Sequence, residues 1–218
     1  MYILHGGNLT RSLAVQMVLE ESSLAYELRN VDIAAQEHRS EAFRAINPAG
    51  YVPALVTPEG TVLHEAAAIC LWLADRHGNE EMAPLPTDPL RGIFLSKLFY
   101  FTNDIQPALK HCYYPRRWAL RDSDTEAFRK LSQAMAAERW QVLEDWLEAN
   151  GPYHLGDRLS LLDLHLSVWI CYGFDTTLDI LDTMPATRRL FDLVHARPVS
   201  GPLLDNLIAT LDGHRDPA

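Results

Sequence analysis

A proline lies inside a strand signal in the stretch NPAGYVPALVTPEG, residues 47–60. Because proline has no N–H, Pro53 removes a ladder hydrogen bond and belongs at a sheet edge or in a special backbone geometry. A cis Val52–Pro53 bond is one such geometry. It would turn the N–H and C=O of Val52 outward, where an extended ligand could pair with them like another strand. An ordinary trans proline on an edge strand is the alternative.

A second candidate follows at Glu65-Ala66, where a helix signal begins directly after a strand signal. The first turn of a helix presents unpaired N–H groups and a partial positive charge, so it binds carboxylates and phosphates. Glu65 could also accept a hydrogen bond from the ammonium group of a ligand. The alternative is that a first-turn glutamate only complements the helix dipole.

The elements that must position these residues alternate between strand and helix over residues 1–78. Helical spacing covers 12–21, 41–46 and 65–76, and short strands cover 2–4, 26–31, 51–57 and 61–63. The order β-α-β-α-β-β-α predicts a mixed sheet, because a β-α-β unit needs a parallel crossover and the last two strands form a hairpin around the turn at 58–60.

The rest of the chain shows helical signals only. Residues 79–88, NEEMAPLPTD, read as a linker, and residues 89–218 as an all-α domain. Its helices are expected from Leu90 to Cys112, after a capping box at 123–126, from Ser160, from Pro185, and after Pro198. The predicted fold class is therefore α/β plus all-α, with domains at 1–78 and 89–218.

Composition excludes several function classes. Lys+Arg at 19 against Asp+Glu at 29 gives a net charge of −10, which opposes binding to a nucleic-acid backbone. We expect no signal peptide and no membrane partner, since the start has no long apolar segment and no apolar run approaches about 20 residues. The three cysteines form no CxxC pair, which argues against disulfides and a zinc site and for a cytoplasmic location.

NPAGYVPAL, TVLHEAAAI and GDRLSLLDLHL together resemble the glutathione S-transferase family, and the resemblance covers essentially the whole chain. It implies a thioredoxin-like N-terminal domain, a helical C-terminal domain, a cis bond after Val52 and a homodimer. It also implies glutathione as co-substrate, with no metal.

The resemblance implies that the Val52–Pro53 segment and the helix start at Glu65 together bind the glutathione peptide. We call these two segments the clamp. Val52 is expected to pair with the cysteinyl backbone and Glu65 to hold the γ-glutamyl end. The glutathione-binding set is Arg11, Tyr51, Val52, Pro53, Glu65 and Ala66. One residue departs from the family pattern, since relatives usually carry Ser or Thr where Ala66 stands. Its N–H remains but a hydroxyl hydrogen bond is lost, so weaker glutathione binding is expected.

Catalysis in this family means stabilising the glutathione thiolate, whose free pKa is about 8.5. The segment HGGNLTRSLAV offers Asn8, Thr10 and Ser12 as catalytic candidates, with a backbone N–H or Arg11 as further alternatives. Ser12 stands where the first helix begins and resembles the serine of serine-type relatives. Serine is also a preferred N-cap, whatever the function.

The family resemblance places the electrophile site in the aromatic-rich stretch 99–118. The candidates are Tyr100, Tyr113, Tyr114 and Trp118 for an apolar substrate, with Lys110, Arg116 or Arg117 for an anionic one. A dimer surface or core packing is the alternative for these side chains. Ser160 and Asp163 are expected to form a structural capping box.

The resemblance therefore implies an enzyme that conjugates glutathione to small, apolar electrophiles. A glutathione-dependent isomerase, dehalogenase or ether-cleaving enzyme would share the clamp. A non-catalytic member, which serves as a protein-interaction module, is the alternative from another class.

Overall fold

The computed structural model describes residues 1–7, 9–173 and 180–214. Its contacts divide the chain into two compact units. The first comprises Met1–Leu85 and Val194–Ala218, and the second comprises Pro86–Leu193. The last helix therefore belongs to the same compact unit as the N-terminal residues. The domain boundaries expected from the sequence place it with the other helices instead.

The first unit is built on a four-stranded sheet in the order β2-β1-β3-β4. β1 and β2 are parallel, while β1–β3 and β3–β4 are antiparallel. The predicted β-α-β-α-β-β-α order and mixed sheet are confirmed. The elements are β1 (Tyr2–Gly6), α1 (Ser12–Glu21), β2 (Tyr26–Asn30), α2 (Glu41–Ile46), β3 (Ala54–Val56), β4 (Val62–His64) and α3 (Ala66–His77).

Helices α1 and α3 pack on each other beside the sheet and contribute buried side chains to the core of this unit. Leu4 and Leu55 from the sheet are fully buried, as are Val18 and Ile69 from the two helices. Burying each such side chain contributes about 1.5–3 kcal/mol to the free energy of unfolding, relative to leaving it exposed. The chain leaves α3 at Gly78, whose φ of +57° is the left-handed conformation that ends many helices at glycine.

The C-terminal helix α10 (Ser200–His214) packs against α1 through a buried acid. The Glu21 side chain is only 5% exposed and accepts two hydrogen bonds from the Arg197 guanidinium, at 2.9 and 2.7 Å. The Ser200 hydroxyl donates a third at 2.6 Å. Burial raises the pKa of Glu21, but these hydrogen bonds outweigh it and hold the pKa below its usual value.

The second unit is helical, which confirms the predicted fold class for the chain. Its helices are α4 (Arg91–Tyr100), α5 (Gln106–Tyr113), α6 (Thr125–Asn150), α7 (Leu161–Gly173), α8 (Ile180–Thr183) and α9 (Pro185–His195). The start predicted for α9 at Pro185 is confirmed. Glu144, 2% exposed on α6, accepts hydrogen bonds from the N–H groups of Ala186 and Thr187 at 2.7 and 2.8 Å and so caps α9.

The expected continuous helix from Leu90 to Cys112 is interrupted by one π-helical turn, Phe101–Ile105. Pro107 explains the interruption, because it cannot donate to the carbonyl four residues earlier and its ring crowds that carbonyl. A wider turn relieves both problems.

Two capping predictions need correction. The box expected at 123–126 does not form: α6 begins at Thr125, its N-cap is Asp124, and no side chain caps it. At α7, Asp163 accepts from the Ser160 N–H at 2.8 Å as predicted. The Ser160 hydroxyl, however, donates to the same carboxylate at 2.9 Å instead of accepting from the Asp163 N–H. The other carboxylate oxygen lies 2.7 Å from Nδ1 of His154, so this acid organises a buried polar cluster.

Candidate functional site

Three segments meet at one end of the sheet in the first unit. Ala54, which begins β3, pairs with His5 near the end of β1 and with His64 at the end of β4. The loop after β1, the residues before β3 and the start of α3 therefore lie at the same end. Sequence reasoning placed its clamp and its catalytic candidates on these segments.

The loop before β3 is held in shape by a buried asparagine. The Asn47 side chain amide donates to the Tyr51 carbonyl at 2.7 Å, and its oxygen accepts from the Ala49 N–H at 3.2 Å. Gly50 adopts a φ of +66°, and its N–H donates to the Asn47 carbonyl at 2.9 Å. This support fixes the approach to Val52.

The Val52–Pro53 peptide bond is cis. The Val52 side chain is buried in a cluster with Val31, Phe43 and Ala54. Within the part of the chain that the structure describes, neither the N–H nor the C=O of Val52 pairs with another residue. The side chain thus anchors the residue while its two backbone groups remain available to an extended peptide.

The start of α3 carries the second half of the candidate clamp. Glu65 is exposed, and its φ of 70° lies in the region that non-glycine residues rarely adopt. Such backbone strain costs about 1–3 kcal/mol and is concentrated at ligand sites. The N–H groups of the first turn of α3 have no partner within the helix, so they can receive a carboxylate. Ala66 is 3% exposed and brings no hydroxyl to this position.

The loop after β1 is tightly packed around two glycines. A Cβ on Gly6 would lie 2.7 Å from both Cβ and Oγ of Ser12, and a Cβ on Gly7 would lie 2.7 Å from the Val31 carbonyl oxygen. Only glycine fits at either position without a shift. The catalytic candidate Asn8 lies outside the described residues.

Thr10 and Ser12 form one hydrogen-bonded group. Their hydroxyl oxygens are 2.6 Å apart, and the Gly7 carbonyl oxygen lies 2.7 Å from Thr10 Oγ1 and 3.2 Å from Ser12 Oγ. Ser12 is 4% exposed, whereas Thr10 is partly exposed. The suggestion that Ser12 is an N-cap is wrong, because the N-cap of α1 is Arg11 and Ser12 is the first helical residue.

The four electrophile candidates do not form one group in the second unit. Tyr113 packs edge-on against Tyr172, with ring centroids 5.7 Å apart, and Tyr172 packs against Trp169 at 5.5 Å. Tyr114 lies beside Tyr113 at 6.3 Å. We call Tyr113, Tyr114, Trp169 and Tyr172 the aromatic cluster.

The other two candidates lie in different surroundings. Trp118 packs on His111 with centroids 4.6 Å apart and is half exposed. The Tyr100 hydroxyl donates to the Arg139 carbonyl at 2.9 Å. Burial, with a contribution from the Asp104 carboxylate, raises the pKa of Tyr100.

The described residues offer neither a metal-binding cluster nor a membrane-spanning helix. No three His, Cys, Asp or Glu side chains among them converge as a metal site requires. None of the helices in the described ranges is long and apolar enough to cross a membrane.

Comparison with known proteins identifies the family. Residues 11–76 match the glutathione S-transferase N-terminal domain, and residues 105–198 match the C-terminal domain. The maleylacetoacetate isomerase of Pseudomonas aeruginosa is 30% identical over 194 residues, which is 87% of this chain and 88% of the relative. The chain belongs to the glutathione S-transferase family.

Solved structures of this family show the same fold. A glutathione transferase homologue from Sulfitobacter, crystallised with bound glutathione, superimposes with a TM-score of 0.84 at 28% identity, covering 94% of this chain and 98% of the other. A glutathione transferase from Phanerochaete chrysosporium has a TM-score of 0.86 at 22% identity, with coverage of 98% and 97%.

Three residues that contact the candidates were not singled out from the sequence. Asn47 supports the Val52 loop, but it lies between the predicted helix 41–46 and the predicted strand 51–57 and was given no role. Trp169 and Tyr172 belong to the aromatic cluster. Their three-residue spacing on a helix was the available signal, but α7 is apolar over most of its length, so an aromatic side is hard to distinguish from a core pattern.

Proposed function

We propose that this protein is a glutathione-dependent enzyme whose first unit binds glutathione as co-substrate. The proposal rests on the backbone of Val52. The side chain of this residue is buried, while its N–H and C=O remain unpaired among the described residues. Glutathione is an extended tripeptide, and its cysteinyl backbone can pair with both groups. The first turn of α3 and Glu65 then receive the γ-glutamyl carboxylate and ammonium groups.

The proposed reaction is conjugation of glutathione to a small, apolar electrophile. The Thr10 hydroxyl is the donor that stabilises the thiolate, since it is the partly exposed member of the Thr10–Ser12 pair. The thiolate forms a sulfur–carbon bond to the electrophile. It either displaces a leaving group with its electron pair or adds to a double bond that then takes up a proton.

The binding proposal is tested by restoring the missing hydroxyl at position 66. Ala66→Ser should tighten glutathione binding about tenfold or more, because a hydrogen bond to a charged group contributes about 1.5–3 kcal/mol. Ala68→Ser is the matched control, since it adds the same hydroxyl at an exposed position of the same turn. Calorimetric titration with reduced glutathione gives both dissociation constants. Equal affinities for Ala66→Ser and the unsubstituted protein would refute this geometry for the γ-glutamyl carboxylate.

A second activity is favoured by the relative from Pseudomonas aeruginosa, which is an isomerase. In an isomerisation the thiolate adds to a conjugated double bond, the intermediate rotates about the resulting single bond, and the thiolate leaves again. Glutathione is then not consumed, whereas conjugation consumes one glutathione per product. Measuring free thiol during turnover distinguishes the two reactions.

We further propose that the enzyme acts in the cytoplasm as a homodimer, as its composition and family resemblance predict. The interaction-module alternative makes the opposite prediction for ligand binding. No heat of binding at several millimolar glutathione would support that alternative and overturn the enzymatic proposal.

A further inference from the structure

The loop after β1 contains a second hydroxyl that the proposed reaction does not use. Ser12 is 4% exposed and lies behind Thr10, so it cannot itself approach a ligand sulfur as Thr10 can. Buried hydroxyls are normally satisfied by hydrogen bonds. The partners of Ser12 therefore indicate what it does.

Three polar groups surround Ser12 Oγ. The Gly7 N–H donates to it at 3.2 Å, the Gly7 carbonyl oxygen lies at 3.2 Å, and Thr10 Oγ1 lies at 2.6 Å. Thr10 Oγ1 also accepts from the Ser12 N–H at 3.3 Å and lies 2.7 Å from the Gly7 carbonyl oxygen. Two hydroxyl protons thus serve one carbonyl and two hydroxyl oxygens.

The arrangement changes when Thr10 donates to a thiolate. Its single proton then points at the sulfur, so only the Ser12 proton can make the hydrogen bond across the 2.6 Å contact, and Thr10 Oγ1 accepts it. The Gly7 N–H continues to donate to Ser12 Oγ. Each donor in such a chain polarises the next, which strengthens the last hydrogen bond.

We infer that Ser12 is a positioning residue that acts through Thr10, an inference that rests on the proposed function. The chain runs from the Gly7 N–H through the hydroxyls of Ser12 and Thr10 to the glutathione sulfur. Ser12 holds the Thr10 oxygen from behind and makes its hydroxyl a stronger donor. The close contact with Gly6 fixes Ser12 in place, since no side chain at position 6 separates it from the strand.

The test is the pKa of the bound glutathione thiol, measured by ultraviolet absorbance of the thiolate across pH. In Ser12→Ala we expect that pKa to rise by about 0.3–1 unit, which is a two- to tenfold loss of thiolate at neutral pH. By linkage, the dissociation constant for glutathione should stay unchanged at low pH, where the bound thiol is protonated, and should rise about two- to tenfold in alkaline solution, where the thiolate binds. Thr10→Val should raise the thiol pKa further, and Thr10→Ser should leave it unchanged.

A matched control separates positioning from simple loss of stability. Ser132→Ala removes another buried serine hydroxyl, which donates to the Phe128 carbonyl at 2.8 Å in the second unit. It should lower the melting temperature without moving the thiol pKa. Ser12→Cys keeps a weak donor at position 12 and should give a thiol pKa between those of Ser12→Ala and the unsubstituted protein. If Ser12→Ala does not fold, Ser12→Cys provides the test in its place.

The outcomes distinguish the two claims. Glutathione binding with the same thiol pKa in Ser12→Ala, Ser12→Cys and the unsubstituted protein would overturn the role of Ser12 and leave the proposed function standing. No glutathione binding by the unsubstituted protein would overturn both.

Discussion

Replacing Glu21 with glutamine tests how the C-terminal segment is fixed to the N-terminal unit. The substitution removes the charge that accepts two hydrogen bonds from Arg197 and one from Ser200, while it keeps the size of the side chain. Hydrogen bonds to charged groups contribute about 1.5–3 kcal/mol each. The Arg197 side chain is 32% exposed, so water restores part of what it loses.

We therefore expect Glu21→Gln to lower the free energy of unfolding by about 2–3 kcal/mol at neutral pH. For a chain of this size, that corresponds to a fall of roughly 4–12 °C in melting temperature. Glu20→Gln is the matched control. It changes the neighbouring, exposed acid, which accepts one hydrogen bond from Tyr26, and should cost less than about 1 kcal/mol.

The pH dependence gives a sharper test of the same contact. The folded-state pKa of Glu21 lies below its usual value, so the carboxylate contributes its stability above the unfolded-state pKa of about 4.3 and loses it as the pH falls through the folded value. The gap between the unsubstituted protein and Glu21→Gln should therefore be full at neutral pH and close in acid. Thermal melts across pH measure it. Equal melting temperatures at neutral pH, or a gap that does not narrow as the pH falls, would refute the reasoning.

Two further predictions concern buried or strained glutamates. Glu144→Gln should destabilise the protein by about 2–4 kcal/mol, because it removes the charge that accepts both N–H groups at the start of α9. The exposed Glu148→Gln on the same helix should stay within about 0.5 kcal/mol, and equal denaturant midpoints for the pair would contradict the cap. Glu65→Gly should raise the melting temperature, since relief of a φ of 70° gains about 1–3 kcal/mol against a smaller loss of backbone entropy, and it should weaken glutathione binding. A lower melting temperature would show that the backbone at Glu65 is not strained.

Most of the fold was predictable because its signals are local. Alternating strands and helices, a proline-and-glycine hairpin turn, and Pro185 at a helix start each act within a few residues. The π-helical turn before Pro107 was not expected, since a sequence shows that a proline disturbs a helix but not how the helix adjusts. Glu21 and Arg197 are 176 positions apart in the sequence, so no local pattern predicts their contact.

The candidate site was predictable in position but not in orientation. Val52 and Glu65 were singled out as candidates because proline chemistry and helix starts have fixed physical consequences. Ser12 was one of three catalytic candidates. In the structure its hydroxyl is buried against Gly7 and Thr10, whereas Thr10 is partly exposed. The direction of a side chain depends on packing across the loop, and for Ser12 it depends on the absence of a Cβ at Gly6. The spacing of residues along the chain does not predict such a contact.

The close contact between Gly6 and Ser12 also limits how this loop can evolve. A Cβ at position 6 would lie 2.7 Å from both Cβ and Oγ of Ser12, so position 6 cannot gain a side chain while position 12 carries one, unless the loop shifts. The hydroxyl at position 12 can be exchanged for other chemistry without changing this limit, because the Cβ of any residue there causes the same clash. Glycine should therefore persist at position 6 among relatives that keep this loop, even where the residue at position 12 differs.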